Sequence, residues 1–175
     1  NNFWNTLVLE RWMNLDFWSI AKWFLADKIW FYLRSKGFFN YLVNLGWDIT
    51  SGWLNHLWQK WKIWITNPLD NTKIVKDIEI TNNSISTSWI YLRKWNIDNK
   101  EYHHIKTPNS NLLSNDILSC SIIDKYWYMT DALATAIISM WLKKWITFCN
   151  KNSINYYVLD NNWGIFTNIE KEEIK

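Results

Sequence analysis

Residues 20–53, IAKWFLADKIWFYLRSKGFFNYLVNLGWDITSGW, hold a helix, its stop signal, a strand and a tight turn in succession. Ile20, Phe24, Ile29 and Leu33 recur on one helical face over residues 20–36, and Gly37 ends the pattern, so the segment predicts a helix. Residues 41–45 then read as a strand running into a turn at Gly46. Trp47 follows that turn at once and Trp53 follows Gly52, although a sharply bending backbone ordinarily takes the smallest residues.

Working outward, residues 16–20 read as a short strand or turn, and β-favouring segments lie near 61–66, 73–81 and 85–92 between Asn- and Ser-rich loops. KTPNSNLLSND, residues 106–116, is a long loop carrying Pro108, and ILSCSIID, residues 117–124, is an apolar strand. A second helix is expected over 129–144. INYYVLD, residues 154–160, alternates as a strand, followed by a turn at 161–164 and a short last strand. Strands interleaved with two main helices, without internal repeats or low-complexity linkers, predict one α+β domain over residues 1–175 with mixed or antiparallel sheets.

Composition narrows the function classes. A net charge of +3, with Lys and Arg scattered rather than clustered, lacks the footprint of a nucleic-acid binder. Cys120 and Cys149 belong to no C-x-x-C pair and read as two buried thiols, so no zinc or redox motif is indicated. No uncharged apolar run approaches the roughly 20 residues that cross a bilayer, so no transmembrane segment is expected in this chain.

Sixteen Trp stand beside only four Gly. The chain is rich in Asn, Ile and Lys and has five Ala and three Arg, a bias expected of an AT-rich genome, in which the UGG codon should be scarce. Abundant Trp contradicts that bias, unless many of these residues arise from UGA codons that the organism decodes as Gly. Reading about ten of them as Gly would raise Gly to about 8%, near the usual level of about 7%.

Three groups of residues could carry chemistry. TDALATA places Asp131 and Thr135 at i and i+4, one turn apart on one helical face, where both oxygens can meet a hard cation. An Asp near a helix start also serves as a cap or a dipole partner. YHHIKTP supplies His103 and His104; on an extended chain only one of the two can face a given site, as a general base or as an ordinary surface His. Lys22 and Asp16 flank a turn entering the first helix, where a phosphate or plain solvent could meet them.

Read in order, LDFWSIAKWFLAD, LVNLGWD, WKIWITNP, ISTSW, HHI with Pro108, and DALATA resemble the ApbE family of FAD:protein FMN transferases. Its patterns run approximately LD-φ-GGIAKG-Y-x-x-D, NLGGD, W-φ-φ-GI-x-x-P, TSG, HI-x-[DN]-P and DALATA. The likeness covers residues 15–166 or so. Trp18, Trp23, Trp47, Trp64 and Trp89 fall where the family pattern has Gly, whereas Trp61 falls on a family Trp and Trp95 where an aromatic is ordinary.

The resemblance implies an ApbE-like fold and Mg²⁺-dependent transfer of FMN from FAD to a Thr hydroxyl of an acceptor flavoprotein, with release of AMP. It implies Asp131 and Thr135 as side-chain metal ligands, joined by the backbone carbonyl of Ser19. Lys22 becomes a phosphate partner and catalytic cation, Asp16 a further FAD contact, and His104 the base that deprotonates the acceptor Thr. Thr87, Ser88, His104 and Ile105 are expected to contact the cofactor, whereas Asp48 is expected to be structural.

Thr107 stands where the family has Asp or Asn before Pro108. Family members are expected to be about twice this length, so the chain is expected to be a C-terminal portion lacking part of the FAD pocket, and a cell-envelope location is expected by resemblance alone. Two other functions compete: a flavin-binding protein or FAD pyrophosphatase without transferase activity, and a Trp-rich ligand-binding module. The second requires the indoles to cluster on one face.

Overall fold

The computed structural model describes residues 6–11, 14, 18–68, 70–105, 116–140 and 142–169. Helix α1 (Trp18–Ser35) leads into strands β1 (Leu42–Asn44), β2 (Asp48–Ser51), β3 (Trp61–Asn67), β4 (Asp70–Ile80), β5 (Ser84–Trp89), β6 (Lys94–Ile97), β7 (Lys100–His103) and β8 (Ile117–Asp124). Helices α2 (Trp127–Ser139) and α3 (Leu142–Lys151) follow, then β9 (Asn155–Asp160) and β10 (Ile165–Thr167).

The first helix stops as its sequence requires. Gly37 adopts φ +80°, its N–H donates to the Arg34 carbonyl at 3.0 Å, and the Phe38 N–H donates to the Leu33 carbonyl at 3.0 Å. This paired closure needs a left-handed residue after the last turn, which Gly supplies without strain. At the start, residues 18–20 are helical rather than strand or turn, because WSIA contains no helix breaker. After the β1–β2 turn, Gly52 lies so close to the Phe39 carbonyl and the Tyr41 ring that a Cβ there would collide with both.

Six strands form the main sheet in the order β1-β2-β5-β8-β9-β10, while β3–β4 and β6–β7 are separate hairpins. Every strand pairing among the described residues is antiparallel. The mixed alternative therefore drops out.

Alternation along the central strands sends side chains into two cores. On the helical face, Cys120 and Ile122 of β8 and Tyr156 and Val158 of β9 pack with Ala134, Ile137 and Ile138 of α2 and Trp145 and Cys149 of α3. On the other face, Ile85, Ile123 and Tyr157 pack with Ile63, Ile65, Ile78 and Ile80 of the β3–β4 hairpin. Both thiols are buried and free. A third cluster, Ala26, Tyr41, Val43 and Trp127, joins α1 to the start of α2.

The helix expected over 129–144 is two helices. Met140 is extended at φ −89° and ψ 156°, and the break turns α3 so that Trp145 and Cys149 are fully buried with α2. Continuing α2 straight would carry them away from the sheet. One strand of the main sheet and one hairpin also depart from the expected pattern: β2 follows β1 across only three residues, and β6–β7 form where no element was expected. The loop at 106–115, with Thr107 and Pro108, lies outside the described residues.

The indoles do not share one face. Trp127 and Trp145 are buried in different clusters, whereas Trp58 is 70% exposed and Trp163 45% exposed. Trp58 and Trp163 also take φ +59° and +66°, a region that costs a non-glycine residue about 1–3 kcal/mol. That distribution removes the basis for a single Trp-lined binding platform.

Candidate active site

Strand β5 presents Ser84, Ser86 and Ser88 to the helical side of the sheet and Ile85 and Thr87 to the hairpin side, a consequence of its two-residue period. Ser86 Oγ lies 2.8 Å from Thr130 Oγ1, and Ser88 Oγ lies 2.9 Å from Thr135 Oγ1. The Thr130 hydroxyl donates to the Trp127 carbonyl at 2.8 Å, so Ser86 is the donor to Thr130. These hydroxyl pairs fix α2 on β5 and hold Asp131 and Thr135 toward one end of the sheet.

The tight turn before β2 delivers Asp48 to the same region. Leu45 N–H donates to the Asp48 carbonyl at 2.8 Å, and the Asp48 side chain, 2% exposed, receives the Lys22 ammonium from α1 at 2.9 Å. Asp131 is 6% exposed, and its Oδ2 is buried without a hydrogen-bond partner. Burial first, and then the negative charge of Asp48, push its carboxyl up to about 6, with Lys22 pulling the other way.

Two buried carboxyl groups thus lie within electrostatic reach of one ammonium, which bonds Asp48, and Asp131 Oδ2 is left unsatisfied. Asp131 Oδ2, the nearby Thr135 hydroxyl and hard oxygen chemistry suit Mg²⁺, which often takes only one or two protein carboxylates. Among the described residues no group of three or more His, Cys, Asp or Glu is placed to hold a metal ion.

The histidines separate as their adjacency predicts. His103 is 1% exposed, whereas His104 is exposed, with its ring edge-on to Trp89 at 5.7 Å. Partial burial, then Arg93 and His103, depress the His104 pKa, although a backbone hydrogen bond at Arg93 acts in the opposite sense. Its imidazole is therefore neutral at neutral pH and able to accept a proton. Trp89 also meets Trp47 at 6.1 Å, so indoles fill the space between the Gly46 turn and His104.

The expected site residues divide by position. Lys22, Asp131, Thr135 and Ser88 converge on the α1–α2–β5 junction, and Trp89 joins that strand to His104. Thr87 points to the opposite face, where its hydroxyl pairs with Ser121 at 2.8 Å. The Ile105 side chain packs in the helical core, while its N–H donates to His103 Nδ1 at 3.2 Å. Ser19 lies in the first turn of α1. Asp16 lies outside the described residues. Asp48, expected to be structural, is the buried partner of Lys22.

Two cavities flank these groups. One, of about 870 Å³, runs along α1 and includes Trp127 in its wall; the other, of about 460 Å³, lies between the sheet and the β3–β4 hairpin beside Trp47, Trp64 and Thr87. Neither is lined by Asp131 or His104.

Comparison with known proteins agrees with this architecture. The ApbE family model matches residues 3–158. An FAD:protein FMN transferase of Vibrio cholerae is 30% identical over 142 residues, covering 80% of this chain and 42% of that protein. One from Klebsiella pneumoniae is 30% identical over 134 residues, covering 75% of this chain and 40% of its own length. The chain thus spans less than half the length of these curated relatives.

Among solved structures, the ApbE protein of Thermotoga maritima superposes with a TM-score of 0.78 at 23% identity, covering 88% of this chain and 51% of that one, a likeness of fold. The flavin transferase ApbE of Vibrio cholerae gives a TM-score of 0.71 at 28% identity, covering 84% of this chain and 47% of its own. With the family model matched along most of its length, and with the α+β architecture and solved neighbours in accord, the chain belongs to the ApbE family.

Proposed function

We propose that this chain is the C-terminal catalytic portion of a longer FAD:protein FMN transferase that moves FMN from FAD to a Thr hydroxyl of an acceptor flavoprotein. The observation that carries this reading is the buried, partnerless oxygen of Asp131 facing a carboxylate–ammonium pair. Asp131, Thr135 and the Ser19 carbonyl would hold Mg²⁺. The bound ion would supply positive charge against the pyrophosphate as negative charge builds on the departing phosphate.

The chain's own groups account for the remainder. His104 accepts the acceptor hydroxyl proton at its imidazole; the Thr oxygen then bonds to the FMN phosphorus as the bond to the AMP phosphate breaks. Lys22 contacts the departing phosphate, and Asp48 holds its ammonium in place until then. Asp16 and Ser88 contribute to FAD binding, and Thr87 and Ile105 support the same strand and loop. We place the protein in the cell envelope on family resemblance.

Incubation of the full-length protein with FAD, Mg²⁺ and a Thr-bearing acceptor should yield AMP and an acceptor whose mass rises by the covalent FMN. FMN and AMP without an adduct would instead identify an FAD pyrophosphatase. Retention of activity in chelator would remove the Mg²⁺ assignment.

Because Asp131 must lose its proton before a cation binds, Mg²⁺ affinity should weaken about tenfold per pH unit below about 6 and level off above it. Part of that elevation comes from Asp48. The Asp48→Asn protein should therefore show the same profile with its midpoint moved to lower pH. Calorimetric titration of Mg²⁺ across pH checks both, and an unmoved midpoint would refute the electrostatic coupling.

We also infer that many of the tryptophans are Gly in the natural protein, through UGA decoding. Trp47, Trp64 and Trp89 coincide with family Gly positions, and Trp58 and Trp163 occupy backbone conformations that favour Gly. Trp58→Gly and Trp163→Gly should each stabilise the chain by about 1 kcal/mol, after the gain in unfolded-state entropy is set against relief of strain. A lower Tm in both variants, or UGG codons at these positions, would overturn the inference.

A further inference from the structure

None of the transfer steps uses His103, the other half of the histidine pair. It ends β7, pairs with Lys94 of β6 and is 1% exposed. Its Nδ1 accepts the Ile105 N–H at 3.2 Å, so a side chain at position 103 bonds the backbone two residues on and closes a ring around His104, as an Asx turn does. Ile105 is itself buried and packs in the helical core with Ile90. The exposed His104 is therefore strung between two buried anchors. On its ring side, the imidazole hydrogen-bonds the Arg93 backbone and meets Trp89 edge-on at 5.7 Å. The Lys94–Glu101 ion pair, at 2.7 Å, ties together the two strands that carry these groups.

We propose that His103 is a positioning residue for the transfer: through the Ile105 N–H it fixes the backbone of His104 and so aims the His104 imidazole at the acceptor hydroxyl. The inference rests on reading His104 as the base. A neutral imidazole has one donor and one acceptor nitrogen, so an Nδ1 that accepts an N–H keeps its lone pair and places the His103 proton on Nε2. Without that acceptor the Ile105 N–H would be buried and unmatched, and the bend at His104 would settle in another geometry. A shift of about 1 Å at a reacting group costs about 10²-fold in rate. Such a loss falls on kcat, because a misaimed base is felt in the transition state rather than in FAD binding.

Two side chains of the full-length protein separate the acceptor atom from mere bulk. His103→Leu fills the space without an acceptor and should lower kcat by about 10²-fold with the KM for FAD little changed. His103→Asn puts Oδ1 where Nδ1 stood, can bond the N–H two residues on, and should restore most of the rate. Equal activity of the two variants, whether both high or both low, would overturn the proposal. Nitrogen NMR of the wild-type imidazoles tests it without any substitution: His103 should be the Nε2–H tautomer at neutral pH, and an Nδ1–H or doubly protonated ring would overturn it. His104→Ala distinguishes the underlying reading. Full transfer by that variant would remove the base and the positioning role together, whereas an inactive His104→Ala beside a fully active His103→Leu would remove the positioning role alone.

Discussion

Asp131→Ala should lower FMN transfer by about 10²–10³-fold, the loss typical when a principal electrostatic element of a site is removed. Among the described residues the two nearest oxygen donors are already engaged. Asp48 is engaged with Lys22 and the Thr135 hydroxyl is paired with Ser88. The same substitution should leave stability at neutral pH unchanged or raised. The folded-state carboxyl titrates at about 6, above its ordinary range, so the folded state holds more protons than the unfolded one between about pH 4 and 6. Stability conferred by Asp131 is thus lost as pH rises through that window, and at pH 7 its charge opposes folding. Adduct mass spectrometry alongside a thermal melt reads both quantities. An active variant would remove Asp131 from the metal site, and an inactive variant with a collapsed Tm would make its role structural.

Ile137→Ala should be the most damaging of the conservative core substitutions. Ile137 is fully buried, at the heart of the cluster that joins α2, α3, β8 and β9. Truncation removes methylenes and leaves a void that rigid neighbours fill poorly, costing about 2–5 kcal/mol. For a chain of this size the Tm should fall by on the order of 10 °C. Asp131 and Thr135 ride on the same helix, so transfer activity should decline before global unfolding. Chemical denaturation checks the energy, and a loss below about 1 kcal/mol would mean that α2 is not packed as described.

Residue pattern made some elements plain and hid others for identifiable reasons. ILSCSIID is buried over most of its length on both faces, so its uninterrupted apolar run announced β8 with its observed limits. DITS is short and follows a turn at once, leaving too few residues for alternation to show β2. In the β6–β7 hairpin the signal was present in another form: Asp98 and Asn99 both adopt positive φ, at +49° and +61°, as a two-residue hairpin turn requires. The TDALATA spacing put Asp131 and Thr135 one turn apart on a helix, and both lie on α2. Asp48 could not be ranked from sequence, since its importance comes from Lys22 arriving from a different element.

The position of β5 inside the sheet also dictates an order of folding. Its partners are β2 on one side and β8 on the other, and the β8 register joins Ser84 to Asp124 and Trp89 to Ser119. Closing loops of that length is slow compared with forming a helix or hairpin. At about 5–20 residues per second, synthesis leaves Lys22 and Asp48 waiting seconds for β8 and α2, with the edge of β5 open to mispairing meanwhile. The carboxylate pair is consequently a late product of folding: a molecule that has buried both acids has already closed its central sheet.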